Sequence, residues 1–230
     1  MSKLKNKILN NHSLLSNIVL AIWNKLFNKI KCGHGNKIIL HKGCYLRNCR
    51  IDLRGGTNNK LVIESGVQLV NTEITAIKDN NCIIIRRKST MNGNSIILRD
   101  GDGYFEFGEK SLALCTEFEI GESKKIVIGK GAWIARDSRF RTSDGHSLLD
   151  LDGNRINPAK DIIIGDHCWL GINTICLKGT VLCPNTVVAA RSLLNKSYEK
   201  GGVILAGTPA KIIREDITWK SWIVPYKESN

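Results

Sequence analysis

The chain has 230 residues, with 42% hydrophobic and 24% charged side chains and a net charge of +13. Length and composition suit one soluble domain with its own core, and exclude a disordered or collagen-like chain. The charge is uneven: residues 1–60 carry twelve Lys/Arg against one acid, Asp52, so eleven of the thirteen net charges fall there. One end of the molecule is therefore suited to a polyanion or an anionic membrane surface. The eight cysteines are irregularly spaced and lack a C-x-x-C, which predicts reduced core thiols in a cytoplasmic protein.

Residues 8–30 place Leu14, Leu15, Ile18, Val19, Ile22, Trp23, Leu26, Phe27 and Ile30 at steps of three and four between lysines. This predicts a basic amphipathic helix within an N-terminal segment, 1–36. It is too short to span a bilayer and lacks the cleavage site of a signal peptide. Two readings stay open: a helix packed on the domain or a sister subunit, or one resting at the interface of an anionic membrane.

From about residue 39 short aliphatic runs alternate with Gly, Asn and Asp. Every sixth residue from Ile164 is aliphatic or Cys (Leu170, Cys176, Leu182, Val188, Leu194), and the residue four places after each of the first five is small: Cys168, Thr174, Thr180, Thr186, Ser192. The same double period occurs at Ile128–Ile134–Phe140 with Ala132 and Ser138, and at Ile85–Met91–Ile97 with Ser89 and Ser95. It is looser at Ile63–Leu69 and Leu40–Leu46. Six residues suit a short strand and a tight turn, and stacked units of this kind bury a continuous column. The repeat breaks between Phe140 and Ile164, where "TSDGHS" places His146 in a predicted loop, 141–160. A near-neutral imidazole on a loop held by a scaffold can accept a hydroxyl proton. Asp144, two residues away, is either its orienting partner or a turn residue.

The repeat, the loop histidine, "IIIGDHCWLGINTICLKGTV", "VVAARSLLNK" and the G-x-P-A-K stretch from Gly207 to Lys211 together resemble the hexapeptide-repeat O-acetyltransferases that modify galactosides, maltose and surface polysaccharides. The resemblance implies an all-β fold, a left-handed parallel β-helix over 37–214, with a tail at 215–230. It also implies acetyl-CoA as co-substrate, direct transfer to a sugar hydroxyl with His146 as general base, and a homotrimer with sites between subunits. By the same resemblance Trp169 lies beside the thioester end of the pantetheine, Gly171 and Ala190 allow close approach of that arm, and Lys196, Lys211 and Arg214 meet the phosphates. Glu117 stands where relatives carry an acceptor-binding asparagine. The basic end favours an acidic surface polysaccharide, such as capsule, as acceptor.

Two other functions stay open: an N-acetyltransferase for an amino-sugar nucleotide, and a non-catalytic trimeric scaffold. His12, His34, His41 and His167 lack the spacing of a three-imidazole zinc site, so no metal is expected. The basic–aromatic interleaving of a single-strand nucleic-acid binder is absent, so no nucleic acid is expected as a partner.

Overall fold

The computed structural model describes residues 14–225. One helix, α1 (Leu14–Leu26), precedes 25 short strands arranged as three sheets of eight, eight and nine strands. Each sheet takes every third strand, and all pairings but the last are parallel. The chain thus winds as a triangular solenoid of about eight coils. Face A begins at β1 (Lys29–Cys32), face B at β2 (Lys37–Leu40) and face C at β3 (Tyr45–Arg47).

The hexapeptide reading holds throughout the C-terminal half. Ile164, Leu170, Cys176, Leu182, Val188 and Leu194 are buried, as are the small residues Cys168, Thr174, Thr180, Thr186 and Ser192. Ile164 stacks on Leu182 and Leu170 on Val188, eighteen residues or three hexapeptides per coil. The N-terminal half is built differently. Ile63 stacks on Ile85 and Met91 on Ala113, a step of 22 residues, because faces A and B there use four-residue strands with two inward side chains each. The predicted phase therefore slips after Met91: Ile97 and Ser95 are half-buried, and Ile96, Leu98 and Asn94 take the interior places. Leu40, predicted as a core position, is exposed at the open end of face B.

The corners explain why the chain can turn so often. Asn48, Asn71, Gly93, Cys115, Asp137, Asn173 and Arg191 all have positive φ, one per coil, in a column between faces C and A. A second column, between faces B and C, holds Gly66, Lys88, Lys110, Gly131, His167 and Asn185. A non-glycine residue accepts this conformation only at a cost, most readily as Asn or Asp. Apart from Asn48 and Gly66, these residues are pinned by their amides to carbonyls at the same corner one coil earlier, as in Lys110 N–H to Arg87 O at 3.1 Å and Asn173 N–H to Arg136 O at 2.9 Å.

The ends differ from expectation. The predicted start of the helix at residue 8, and His12, lie outside the described residues. The helix stops at Leu26, and the solenoid begins at Lys29 rather than 37, since β1 pairs with Arg50–Leu53. The side α1 turns inward is Leu20 and Asn24, whereas Ile18, Val19, Ile22 and Leu26 face outward. At the other end β24 (Ile204–Gly207) and β25 (Ala210–Arg214) close face C as an antiparallel hairpin containing the G-x-P-A-K stretch.

Candidate active site

The sixth coil carries the predicted loop. The chain leaves face A after β16 (Arg139–Arg141) and rejoins face B at β17 (Ile162–Ile164). Its neck is closed by Lys160 N–H donating to Thr142 O at 3.1 Å, and the buried Thr142 hydroxyl is bonded to Gly121 O. Asn157, also buried, ties the loop together. Its amide nitrogen donates to Asp144 Oδ2 and to His146 O, both at 2.8 Å, and its Oδ1 accepts from Leu148 N–H at 2.8 Å. These bonds fix the backbone around residue 146 while the His146 side chain stays exposed.

The loop is also clamped by the coils on both sides. From the coil before, Glu122 takes both Arg155 nitrogens, at 2.6 and 2.9 Å, and accepts from the Ser143 hydroxyl. The Arg155 guanidinium, aided by Ser143, pulls the Glu122 carboxyl down to about 2. From the coil after, the Lys178 ammonium pairs with Asp144 Oδ2 and reaches Asn157 O at 3.1 Å. Lys178, then Asn157, hold the Asp144 carboxyl below its ordinary range. The Asp144 carboxylate is thus hydrogen-bonded to Lys178 and Asn157, not to the imidazole: in this chain it fastens the loop.

Trp169 opens the face C strand β18 (Trp169–Leu170), in register with Trp133 one coil before. Its ring is 44% exposed and 5.9 Å from that of Trp219. Trp219 belongs to the tail, which folds back over this edge. It stacks on His167 at 4.5 Å and 8°, meets Trp133 edge-on at 5.8 Å, and donates its indole N–H to His167 O at 2.7 Å. His167, a positive-φ corner residue, is thus the floor of an aromatic cluster. No periodic signal marks Trp219, which lies beyond the repeats.

The remaining predicted residues are dispersed. Gly171 and Ala190 are neighbours on consecutive coils, and a Cβ on Gly171 would lie 2.6 Å from Ala190 N. Lys196 packs over the Tyr198 ring at 5.6 Å, and the Tyr198 hydroxyl donates to Ala210 O at 3.2 Å. Lys211 and Arg214 extend from β25 on face C. Glu117 pairs with Arg139 at 3.2 Å and lines a cavity of about 260 Å³ with Cys115, Asp137 and Asn173.

The loop is held at the corner between faces A and B, and face C is the side of the triangle opposite that corner. Within one chain His146 and Trp169 therefore lie apart. Among the described residues no cluster of three or more His, Cys, Asp or Glu is placed to hold a metal ion.

No family model matches the chain. Individual relatives do. It is 34% identical over 165 residues to the polysialic acid O-acetyltransferase of Neisseria meningitidis, covering 71% of this chain and 76% of that protein. It is 38% identical over 104 residues to a polysialic acid O-acetyltransferase of Escherichia coli O1:K1, where the match spans 44% of this chain and 34% of the relative. Among solved structures, the polysialic-acid-specific acetyltransferase NeuO superposes with a TM-score of 0.78 at 29% identity, covering 86% of this chain and 90% of that one. The coils, loop and terminal hairpin are accordingly those of a left-handed parallel β-helix. The likeness extends over most of both chains in sequence and in structure, and the chain belongs to the hexapeptide-repeat O-acetyltransferases, the family of the polysialic acid O-acetyltransferases.

Proposed function

We propose that the protein transfers the acetyl group of acetyl-CoA to a hydroxyl of an acidic surface polysaccharide, with His146 as general base. The observation that carries this reading is the loop itself. Asn157, Lys178 and Glu122 immobilise the backbone on either side of a histidine whose exposed side chain is left for an incoming group. The imidazole takes the acceptor hydroxyl proton as that oxygen bonds to the thioester carbonyl carbon. The tetrahedral intermediate collapses with cleavage of the C–S bond, and the proton passes from the imidazolium to the CoA thiolate.

The opposed positions of His146 and Trp169 in one chain support an assembled site in which a neighbouring copy brings its face C to this loop. A homotrimer satisfies that requirement by symmetry. Trp169 and the Gly171–Ala190 backbone then form the wall for the pantetheine, and Lys211 and Arg214, with Lys196, meet its phosphates. The names of the relatives and the net charge of +13 both favour an acidic acceptor, of which polysialic acid is the leading candidate. Glu117 is assigned to the acceptor side, in the cavity it shares with Asp137 and Asn173.

The test is CoA release from acetyl-CoA with polysialic acid, a neutral glycan or no acceptor. Release that depends on polysialic acid is expected, with His146→Ala lowering kcat about 10²–10⁴-fold while acetyl-CoA still binds. Sedimentation should give three times the 25.6 kDa chain mass. Full activity of the His146 variant, or acetyl transfer to amines alone, would overturn the assignment.

A further inference from the structure

The N-terminal end of the solenoid combines two features that lie outside the chemical step at His146. The first is an apolar row on α1. Asn24 holds the helix to the first coil, donating to Cys44 O at 3.0 Å and accepting from Leu46 N–H at 2.9 Å. Asn28, just beyond, accepts from Cys49 N–H at 2.8 Å and donates to Leu46 O at 3.1 Å. Trp23 lies 6.2 Å from the Tyr45 ring. With Leu20 and Asn24 turned inward, Ile18, Ile22 and Leu26, spaced four apart, form one outward row, with Val19 beside it. Ile22 is 54% and Leu26 71% exposed. Ile39 and Leu40, at the open edge of face B, are also exposed.

The second feature is charge. No acid precedes Asp52 in the sequence. Lys25, Lys29, Lys37, Lys42 and Arg47 are exposed and make no salt bridge among the described residues, while the exposed Lys31 stands across from Asp52, itself paired with Arg54. Farther along the solenoid, cations such as Arg86, Arg99 and Arg141 are paired with glutamates of neighbouring coils.

We infer that this end of the molecule seats on an anionic lipid surface, with α1 lying in the interface and its Ile18–Ile22–Leu26 row entering the acyl boundary. No helix among the described residues is long and apolar enough to cross a membrane. A row of large aliphatics flanked by unpaired lysines matches a monolayer with an apolar interior and anionic headgroups, and the two attractions reinforce each other. The same end of a second copy fits less well, because it would bring two sets of unpaired cations together. The cations alone would suit any polyanion, but a soluble acidic polymer would leave the aliphatic row wet.

The experiment is co-sedimentation of the full chain with vesicles of phosphatidylcholine, alone or mixed with phosphatidylglycerol, at low and high salt. Binding is expected only to the anionic vesicles, with release at high salt. Two variants carry the test, Ile18→Asn with Ile22→Asn, and Lys29→Glu with Lys37→Glu, each checked for native circular dichroism. Each should weaken vesicle binding at least about tenfold while leaving kcat at saturating soluble acceptor unchanged. The inference is overturned if the parent chain stays in the supernatant or binds neutral vesicles equally well. It is also overturned if the isoleucine pair lowers the oligomer mass without changing lipid binding, for then the row is an interface between copies.

Discussion

At the scale of single residues, the candidate site depends on groups that hold a loop as much as on the reacting one. Lys178 touches both Asp144 and the Asn157 carbonyl, so its removal frees the loop from the following coil. Lys178→Met should lower kcat about tenfold or more while acetyl-CoA affinity stays near the parent value, because a displaced base costs orientation rather than binding. Lys178→Arg, which keeps the ion pair, should recover much of the loss. Of this set only His146 and Asp144 were legible in the sequence, as a histidine and an acid in a break of the repeat. Lys178 sits in the next coil and Glu122 in the previous one. Only the stacking offset brings them to Asp144 and Arg155, and that offset is not written in the loop itself.

At the scale of the coil, close stacking sets the tolerance for substitution. A Cβ on Gly171 would stand 2.6 Å from the backbone nitrogen of Ala190, in turns that directly follow the Leu170–Val188 strand pair and cannot separate without disturbing its packing. Gly171→Ala should therefore cost about 1–3 kcal/mol by overpacking, seen as a lower Tm. The hexapeptide period was plain from Ile164 to Leu194 because every coil there has the same length. In the N-terminal half, four-residue strands lengthen the coil to a 22-residue step, so a search at period six loses phase after Met91. The helix shows the opposite failure. The apolar spacing marks a helix that ends at Leu26, short of Ile30, and within it Asn24 takes a buried place through its hydrogen bonds to Cys44 and Leu46, turning the aliphatic row outward.

At the scale of the whole molecule, many carboxylates are bonded to groups on other coils or across turns. Asp79 is held down by the Thr57 amide and hydroxyl, Asp100 by the Glu122 amide, Glu122 by Arg155 and Asp144 by Lys178. Each folded-state pKa lies below its unfolded value, so the folded chain binds fewer protons than the unfolded one in that range. Their stabilisation is complete above about pH 5 and is lost as pH falls towards the folded values, near 2 for Glu122. Tm measured from pH 7 down to 3 should be flat at first and then fall. A Tm that rises below pH 5 would contradict this account.

The left-handed β-helix rests on the family resemblance, whereas a stacked six-residue repeat, the place of the loop and its histidine, and the concentration of positive charge at one end were legible along the chain. These follow from local periodicity, from its interruption and from composition. Which coil meets which is set only by folding, and with it that Lys178 and Glu122 clamp the loop, that Trp219 covers Trp133 and His167, and that α1 presents its aliphatic row outward. Those outcomes depend on contacts between residues as far apart as Trp219 and His167, whose partners are chosen by coil offset and packing rather than by any pattern along the chain.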